Sequence, residues 1–162
     1  MKTQILDTLY SIKKNATIDG IAQQPKVECT LICKAHYDRK EYENIILPSF
    51  QNEQVRNNIV ARLRGHRNVI NDVVYGRTFR ITAETELRPG DVFDENIGRH
   101  IAETKARTKL FKINAVFTEE MTKHFVNIYE HIVNLNSRNQ YLLDRERAHL
   151  VNDILPNIVE KQ

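Results

Sequence analysis

The chain has 162 residues, of which 41% are hydrophobic and 28% charged, with five glycines, two cysteines, no tryptophan and a net charge of +3. That length can bury a core without disulfide or metal staples, and the composition excludes disordered and fibrous classes. Residues 1–15 carry Lys2, Asp7, Lys13 and Lys14 with no continuous apolar stretch, and runs such as Ile45-Ile46-Leu47 are far too short to cross a bilayer, so the expectation is a cytoplasmic protein with no membrane association.

Ile5, Leu9 and Ile12 recur at helical spacing and Asn15 to Gly20 reads as a stop, which predicts a short amphipathic helix over residues 3–14. Val27, Cys29, Leu31 and Cys33 then alternate with Glu28, Thr30, Ile32 and Lys34, the period of a half-buried strand. A polar stretch from His36 to Glu41 separates it from Tyr42 to Leu47, and the two segments are expected to form a hairpin. After Pro48, Ser49 stands where an N-cap belongs, Val55, Ile59 and Leu63 form a stripe, and Gly65 supplies a stop, so residues 50–64 read as a helix.

The same order is expected again: a strand near Val69 to Tyr75, a turn at Gly76, and a strand from Thr78 to Leu87 with Phe79, Ile81, Ala83, Thr85 and Leu87 on one face. Arg88-Pro89-Gly90-Asp91 breaks it, and Asp91 or Asp94 can cap a helix in which Ile97, Ile101 and Ala102 face inward. A strand is expected at Leu110 to Phe117. From Thr118 the period becomes helical through Met121, Phe125, Ile128, Ile132 and Leu135, and Ser137 with Gln140 has capping-box form, which predicts a second helix that runs to Pro156 and packs against that stripe, the tail being a helical hairpin or, alternatively, one long kinked helix. The expected fold is a single α+β domain over residues 1–162: two ββα units (about 26–117) that form an antiparallel sheet with helices on one face, followed by a C-terminal helical hairpin (about 118–158).

Charge is distributed unevenly. Residues 1–55 hold seven basic and seven acidic side chains, residues 56–112 twelve against seven, and residues 113–162 five against seven. Within 56–80, Arg56, Arg62, Arg64, Arg67, Arg77 and Arg80 face only Asp72. Arg62, Arg64 and Arg67 fall at the end of the predicted helix, where positive charge complements the dipole. Arg77 and Arg80 flank a turn and have no such structural reason. Arginine rather than lysine favours bidentate recognition of phosphate or carboxylate, so Arg62, Arg64, Arg67, Arg77 and Arg80 are the candidate partner- or nucleic-acid-binding set.

The other constellations read as structural. Cys29 and Cys33 on one strand lie about 13 Å apart, too far for a disulfide or a shared metal, and are expected to be buried free thiols. Glu146 and His149 have the Glu-x-x-His spacing of di-iron bundles without the second copy that such sites need. Asp91, Asp94 and Glu95 could hold a divalent cation, but turn and capping chemistry uses the same residues. With no nucleophile motif, phosphate loop or HExxH, neither catalysis nor a cofactor or metal is expected. Val126, Tyr129 and Val133 widen the stripe on the C-terminal helix, leaving room for a homodimer contact.

Residues 85–106, TELRPGDVFDENIGRHIAETKA, resemble a short segment of small bacteriophage proteins in which Pro-x-Asp-x-Phe-Asp is followed by Gly-x-x-Ile-Ala; here the residues are Pro89, Asp91, Phe93, Asp94, Gly98, Ile101 and Ala102, with Gly90 intervening. The resemblance implies a phage accessory protein acting inside a bacterial host. With the arginines it gives the functional expectation: a non-catalytic protein that binds and inhibits a host protein or nucleoprotein, such as a defence enzyme (an anti-CRISPR-like action) or a replication enzyme. The alternative is direct nucleic-acid binding through the arginine-rich face, with a steep loss of affinity in salt.

Overall fold

The computed structural model describes residues 2–13, 17–18, 21–22, 24–86, 92 and 94–154. The chain divides into two compact units, the first ending at Met121 and the second beginning at Thr122. In chain order the elements are β1 (Lys2–Lys13), β2 (Thr17–Ile18), β3 (Ile21–Ala22), β4 (Lys26–His36), α1 (Arg39–Glu41), a π turn (Tyr42–Ile46), α2 (Leu47–Gln51), α3 (Glu53–Arg62), a 3-10 turn (Arg64–His66), α4 (Arg67–Val74), β5 (Thr78–Glu86), α5 (Glu95–His149) and a π turn (Leu150–Ile154).

The first unit is α+β. Its main sheet is antiparallel with strand order β1-β4-β5, while β2 and β3 pair with each other. β4 lies in the centre. Val27, Cys29, Leu31, Cys33 and Ala35 are buried on one face, as the alternation predicted, and Phe79, Ile81 and Ala83 continue that face on β5. Helices cover it: Val55, Ile59 and Leu63 from α3 and its cap, Ile70, Val73 and Val74 from α4, and Ala102, Ala106, Leu110, Ile113 and Phe117 from α5 belong to the same core. The opposite face is mixed: Thr30 and Thr82 hydroxyls lie 3.0 Å apart and Lys26 pairs with Glu86, while Leu9 is exposed beside Thr30 and Ile32 stands opposite Arg80.

Two ββα units and a helical hairpin are not what the chain forms. Residues 3–14 were expected to be helical, yet Lys2–Lys13 is a strand with a bulge between Ile5 and Asp7. The extra residue, Leu6, changes the parity of the pleat, so Ile5 and Ile12 both face the covered side although seven residues separate them. Seven residues is also two helical turns, which is what the sequence spacing mimicked. Tyr42 to Leu47 is helical rather than extended, because Tyr42, Ile46 and Phe50 share one side and Ile46 and Phe50 are buried. Val69 to Tyr75 is likewise α4 and its cap: the inward residues Ile70, Val73 and Val74 follow a 3.6 period, which overrides the strand preference of β-branched side chains. Without a strand at 42–47 or 69–75, the main sheet among the described residues is built from β1, β4 and β5.

The α3 stripe is as expected, but Asn52 makes the N-cap, accepting from the Val55 amide at 3.1 Å, and Ser49 is buried within α2. Leu110 to Phe117 is helix, with Leu110, Ile113, Val116 and Phe117 at helical spacing on the buried side. Ser137 does not start a new helix; it lies inside the 55-residue α5, so of the two readings of the tail the single long helix is the one that forms. Ile97 and Ile101 are exposed whereas Ala102 is buried, so small residues, not large ones, meet the sheet at this end of α5. Asn15, Gly20, Leu87, the Arg88-Pro89-Gly90-Asp91 break, Phe93 and the stop at Pro156 lie outside the described residues.

The second unit, through Ile154, consists of the remainder of α5 and the terminal π turn. Phe125, Ile128, Ile132 and Leu135 had been expected to pack against a following helix; all four are exposed. Among the described residues no helix is long and apolar enough to cross a membrane.

Candidate functional site

The five arginines sit in different places. Arg62 closes α3 and is engaged by α5: its Nη1 donates to Glu120 Oε1 at 2.6 Å and its Nη2 to Glu119 Oε2 at 2.7 Å. The Glu120 carboxylate is buried and also accepts from Asn58 Nδ2 at 3.1 Å, and the two acidic partners hold Arg62 firmly in its charged form. Arg64 and Arg67 are exposed on the turn into α4. Arg77 lies past the other end of that helix, whose eight residues rise about 12 Å. Arg80, between the inward Phe79 and Ile81, points to the open face of the sheet opposite Ile32. No single surface contains all five.

What the chain does assemble is a basic, tyrosine-rich corner where β4 ends and β5 begins. α4 terminates in a Schellman motif: Arg77 N–H donates to the Asp72 carbonyl at 2.8 Å and Gly76 N–H to the Val73 carbonyl at 3.2 Å. Gly76 occupies the left-handed region at φ 61°, where a side chain would be strained. The Val73 carbonyl also accepts from the Tyr37 hydroxyl at 2.9 Å, tying the end of α4 to the segment after β4. Burial, reinforced by Glu41 and Tyr42, pushes the Tyr37 hydroxyl far above its ordinary pKa, so it remains a donor.

Around this anchor Tyr37 and Tyr42 lie with ring centroids 6.1 Å apart, and the Arg77 guanidinium stands 5.4 Å from the centre of the half-exposed Tyr75 ring. Lys34, His36, Tyr37, Asp38, Arg39, Tyr42 and Tyr75 are among the residues that line an open concavity of about 380 Å³, and Asp38 accepts from the Glu41 amide at 2.7 Å. Arg39 is paired with Glu43 at 2.9 Å. On the neighbouring strand Lys2 stands opposite His36 in register, adding positive charge to the same end of the sheet. A cation on an aromatic face beside further tyrosines can receive carboxylates or phosphates with one edge and apolar or planar groups with the other.

Of this corner, sequence reasoning named Arg77. Tyr37 and Tyr42 were hidden because residues 42–47 read as a strand; the signal was the four-residue spacing of Tyr42, Ile46 and Phe50. The remaining constellations are structural. Cys29 and Cys33 are buried free thiols whose pKa values are raised by burial, that of Cys33 to about 11, which leaves both unreactive near neutrality. Asp94 accepts from the Asn96 and Ile97 amides at 2.8 and 3.1 Å, and Glu95 pairs with Arg99, so these two acidic residues serve the start of α5; Asp91 lies outside the described residues. Among the described residues no group of three or more His, Cys, Asp and Glu could hold a metal ion.

β5 is an edge strand, and α5 occupies part of its backbone: Lys109 Nζ donates to the Thr82 carbonyl at 2.8 Å and Lys105 Nζ to the Glu84 carbonyl at 3.2 Å. Lysines at an edge oppose addition of a further strand, which directs attention to the corner. No protein-family model, curated protein or solved structure matches the chain.

Proposed function

We propose that the chain is a non-catalytic accessory protein of bacteriophage type that works in the cytoplasm of a bacterial host, where it binds and thereby inhibits a host protein or nucleoprotein such as a defence or replication enzyme. The observation that supports this reading is the corner itself: Tyr75 and Arg77 are stacked and exposed beside Tyr37, Tyr42, Lys34 and His36. Tyrosine and arginine, with tryptophan, are enriched among the residues that dominate protein–protein affinity. The fitting partner surface is acidic, because like charges set against each other across an interface are repelled.

Direct nucleic-acid binding is the second reading, favoured by the Arg77–Tyr75 stack, which can take a phosphate and a base. It ranks second because Arg62 is committed to Glu119 and Glu120, and Arg64 and Arg67 lie at the far end of α4 from Arg77. A continuous phosphate track needs those charges together. The deciding experiment is a pull-down from bacterial lysate, with and without nuclease, using wild type and a Tyr75→Ala/Arg77→Ala variant. The expected result is a host protein retained after nuclease treatment and lost with the variant. Recovery of nucleic acid alone refutes the inhibitor reading, and equal recovery by the variant removes the corner from it.

A further inference from the structure

The second unit carries an apolar seam that the basic corner does not use. Phe125, Ile128, Ile132, Leu135, Asn139 and Leu142 recur at intervals of three, four, three, four and three residues along α5, and all are exposed. That alternation is the a/d pattern of a coiled coil, with Phe125, Ile132 and Asn139 at a and Ile128, Leu135 and Leu142 at d. Tyr129 and Leu143 flank the seam and are themselves exposed at 69% and 46%. On the side away from the seam, Gln140 and Arg147 both reach Asp144.

We propose that this seam is the interface of a parallel, in-register homodimer, an inference independent of what the corner binds. Two features select a second copy of the chain. The first is Asn139. A lone asparagine at an a position would stand unmatched against an apolar partner, whereas in a parallel self-pair it meets its own counterpart, and such a pair fixes register and favours two strands. An antiparallel pair sets a positions against d positions and leaves the asparagine facing leucine or isoleucine. The second is area. The six seam residues with Tyr129 and Leu143 make eight side chains that can each bury on the order of 100 Å² of exposed surface, and roughly 800 Å² is what one partner contributes to a standard stable interface. The seam ends after Leu142, because the next a and d residues are Glu146 and His149.

Sedimentation equilibrium on the full chain tests this, and dimeric mass is expected. Ile132→Lys places a charge in each half of the seam and should weaken the dimer at least about 100-fold by burial of unpaired charge, with the far-UV circular dichroism of the first unit retained. Orientation is read by oxidising Leu135→Cys and Leu142→Cys separately. Both should crosslink in a parallel in-register pair, while an antiparallel pair brings at most one position against itself; Ser137→Cys, at an outward position, should not crosslink. Monomeric mass at every concentration, or mass unchanged in Ile132→Lys, overturns the proposal, as does crosslinking of only one of the two seam cysteines.

Discussion

A methyl group added to Gly98 would stand 2.7 Å from Cγ2 of Val27. Gly98, Ala102 and Ala106 follow one another at four-residue spacing, and both alanines are fully buried, so the start of α5 approaches β4 through its smallest side chains. Gly98 and Ala102 thus have a physical reason in the packing of α5 against β4. In an unconstrained helix interior, Gly→Ala stabilises by about 1 kcal/mol. Here the sign reverses. Gly98→Ala should destabilise by about 1–2 kcal/mol through overpacking, read as a lower urea midpoint, and Val27→Ala should recover part of the loss in a double-mutant cycle. A stabilised single variant would refute the close approach.

The Arg62–Glu120 pair makes an asymmetric prediction. Removing the guanidinium takes its charged donor from the buried Glu120 carboxylate, to which Asn58 still donates, so Arg62→Ala should lower the denaturation midpoint, while Arg62→Met with Glu120→Leu should lie near wild type because charge and countercharge leave together. Chemical denaturation of the three proteins measures both. The consequence for function is practical: a binding defect in Arg62→Ala reports lost stability, whereas one in Arg77→Ala reports the corner.

Tyr10 and Glu103 predict a pH dependence at both extremes. The Tyr10 hydroxyl donates to Glu103 Oε2 at 2.6 Å, and Arg107 Nε donates to Oε1 at 2.7 Å. The bond to Glu103, with burial, pushes Tyr10 from 10.0 up to about 12, and bonds from Tyr10 and then Arg107 hold Glu103 below its ordinary 4.5. A raised tyrosine pKa gives stability that is present below pH 10 and is lost as pH rises through about 12. A depressed carboxylate pKa gives stability that is present above 4.5 and is lost as pH falls through the lowered value. Tyr10→Phe should therefore be most destabilising between these limits, and Glu103 in that variant should titrate closer to 4.5 by carbon-detected NMR. An unmoved Glu103 titration would show that Arg107 alone holds the carboxylate.

The parts of this fold that could be read from sequence are those where period and geometry coincide. β4 and β5 alternate without interruption, and the α3 stripe repeats every four residues. β1 was misread because one bulge residue, Leu6, turns a two-residue period into a seven-residue one. Val69 to Tyr75 and Leu110 to Phe117 misled in another way: their β-branched and aromatic side chains prefer strands, but burial against the sheet selects the helix that places Ile70, Val73 and Val74, or Leu110, Ile113 and Phe117, on one side. The corner was less legible still. Tyr75 lies 33 positions beyond Tyr42 and 38 beyond Tyr37, and joins them through a turn at Gly76 and a Tyr37 hydroxyl bonded to Val73. Neither leaves a local pattern. The arginine count was visible, but Arg62 looked free because its partners, Glu119 and Glu120, were assigned to the tail.

Lys105 and Lys109 supply the last prediction. A three-stranded sheet exposes two edges, and the backbone of an edge strand is a template for another chain. On β5 the Thr82 and Glu84 carbonyls are already taken by these lysines, whose stems cross the covered side from α5. Replacing both with alanine removes the donors and the charge together while leaving the buried residues of α5 untouched. The expected result is a small change in the urea midpoint, within about 0.5 kcal/mol for exposed side chains, alongside a marked rise in light scattering and thioflavin fluorescence on prolonged incubation. Lys105→Arg with Lys109→Arg retains charge and donors and should remain clear. If the alanine variant stays as soluble as wild type, the lysines are not what protects the edge. If the arginine variant aggregates as well, the protection depends on the compact ammonium group that sits on each carbonyl.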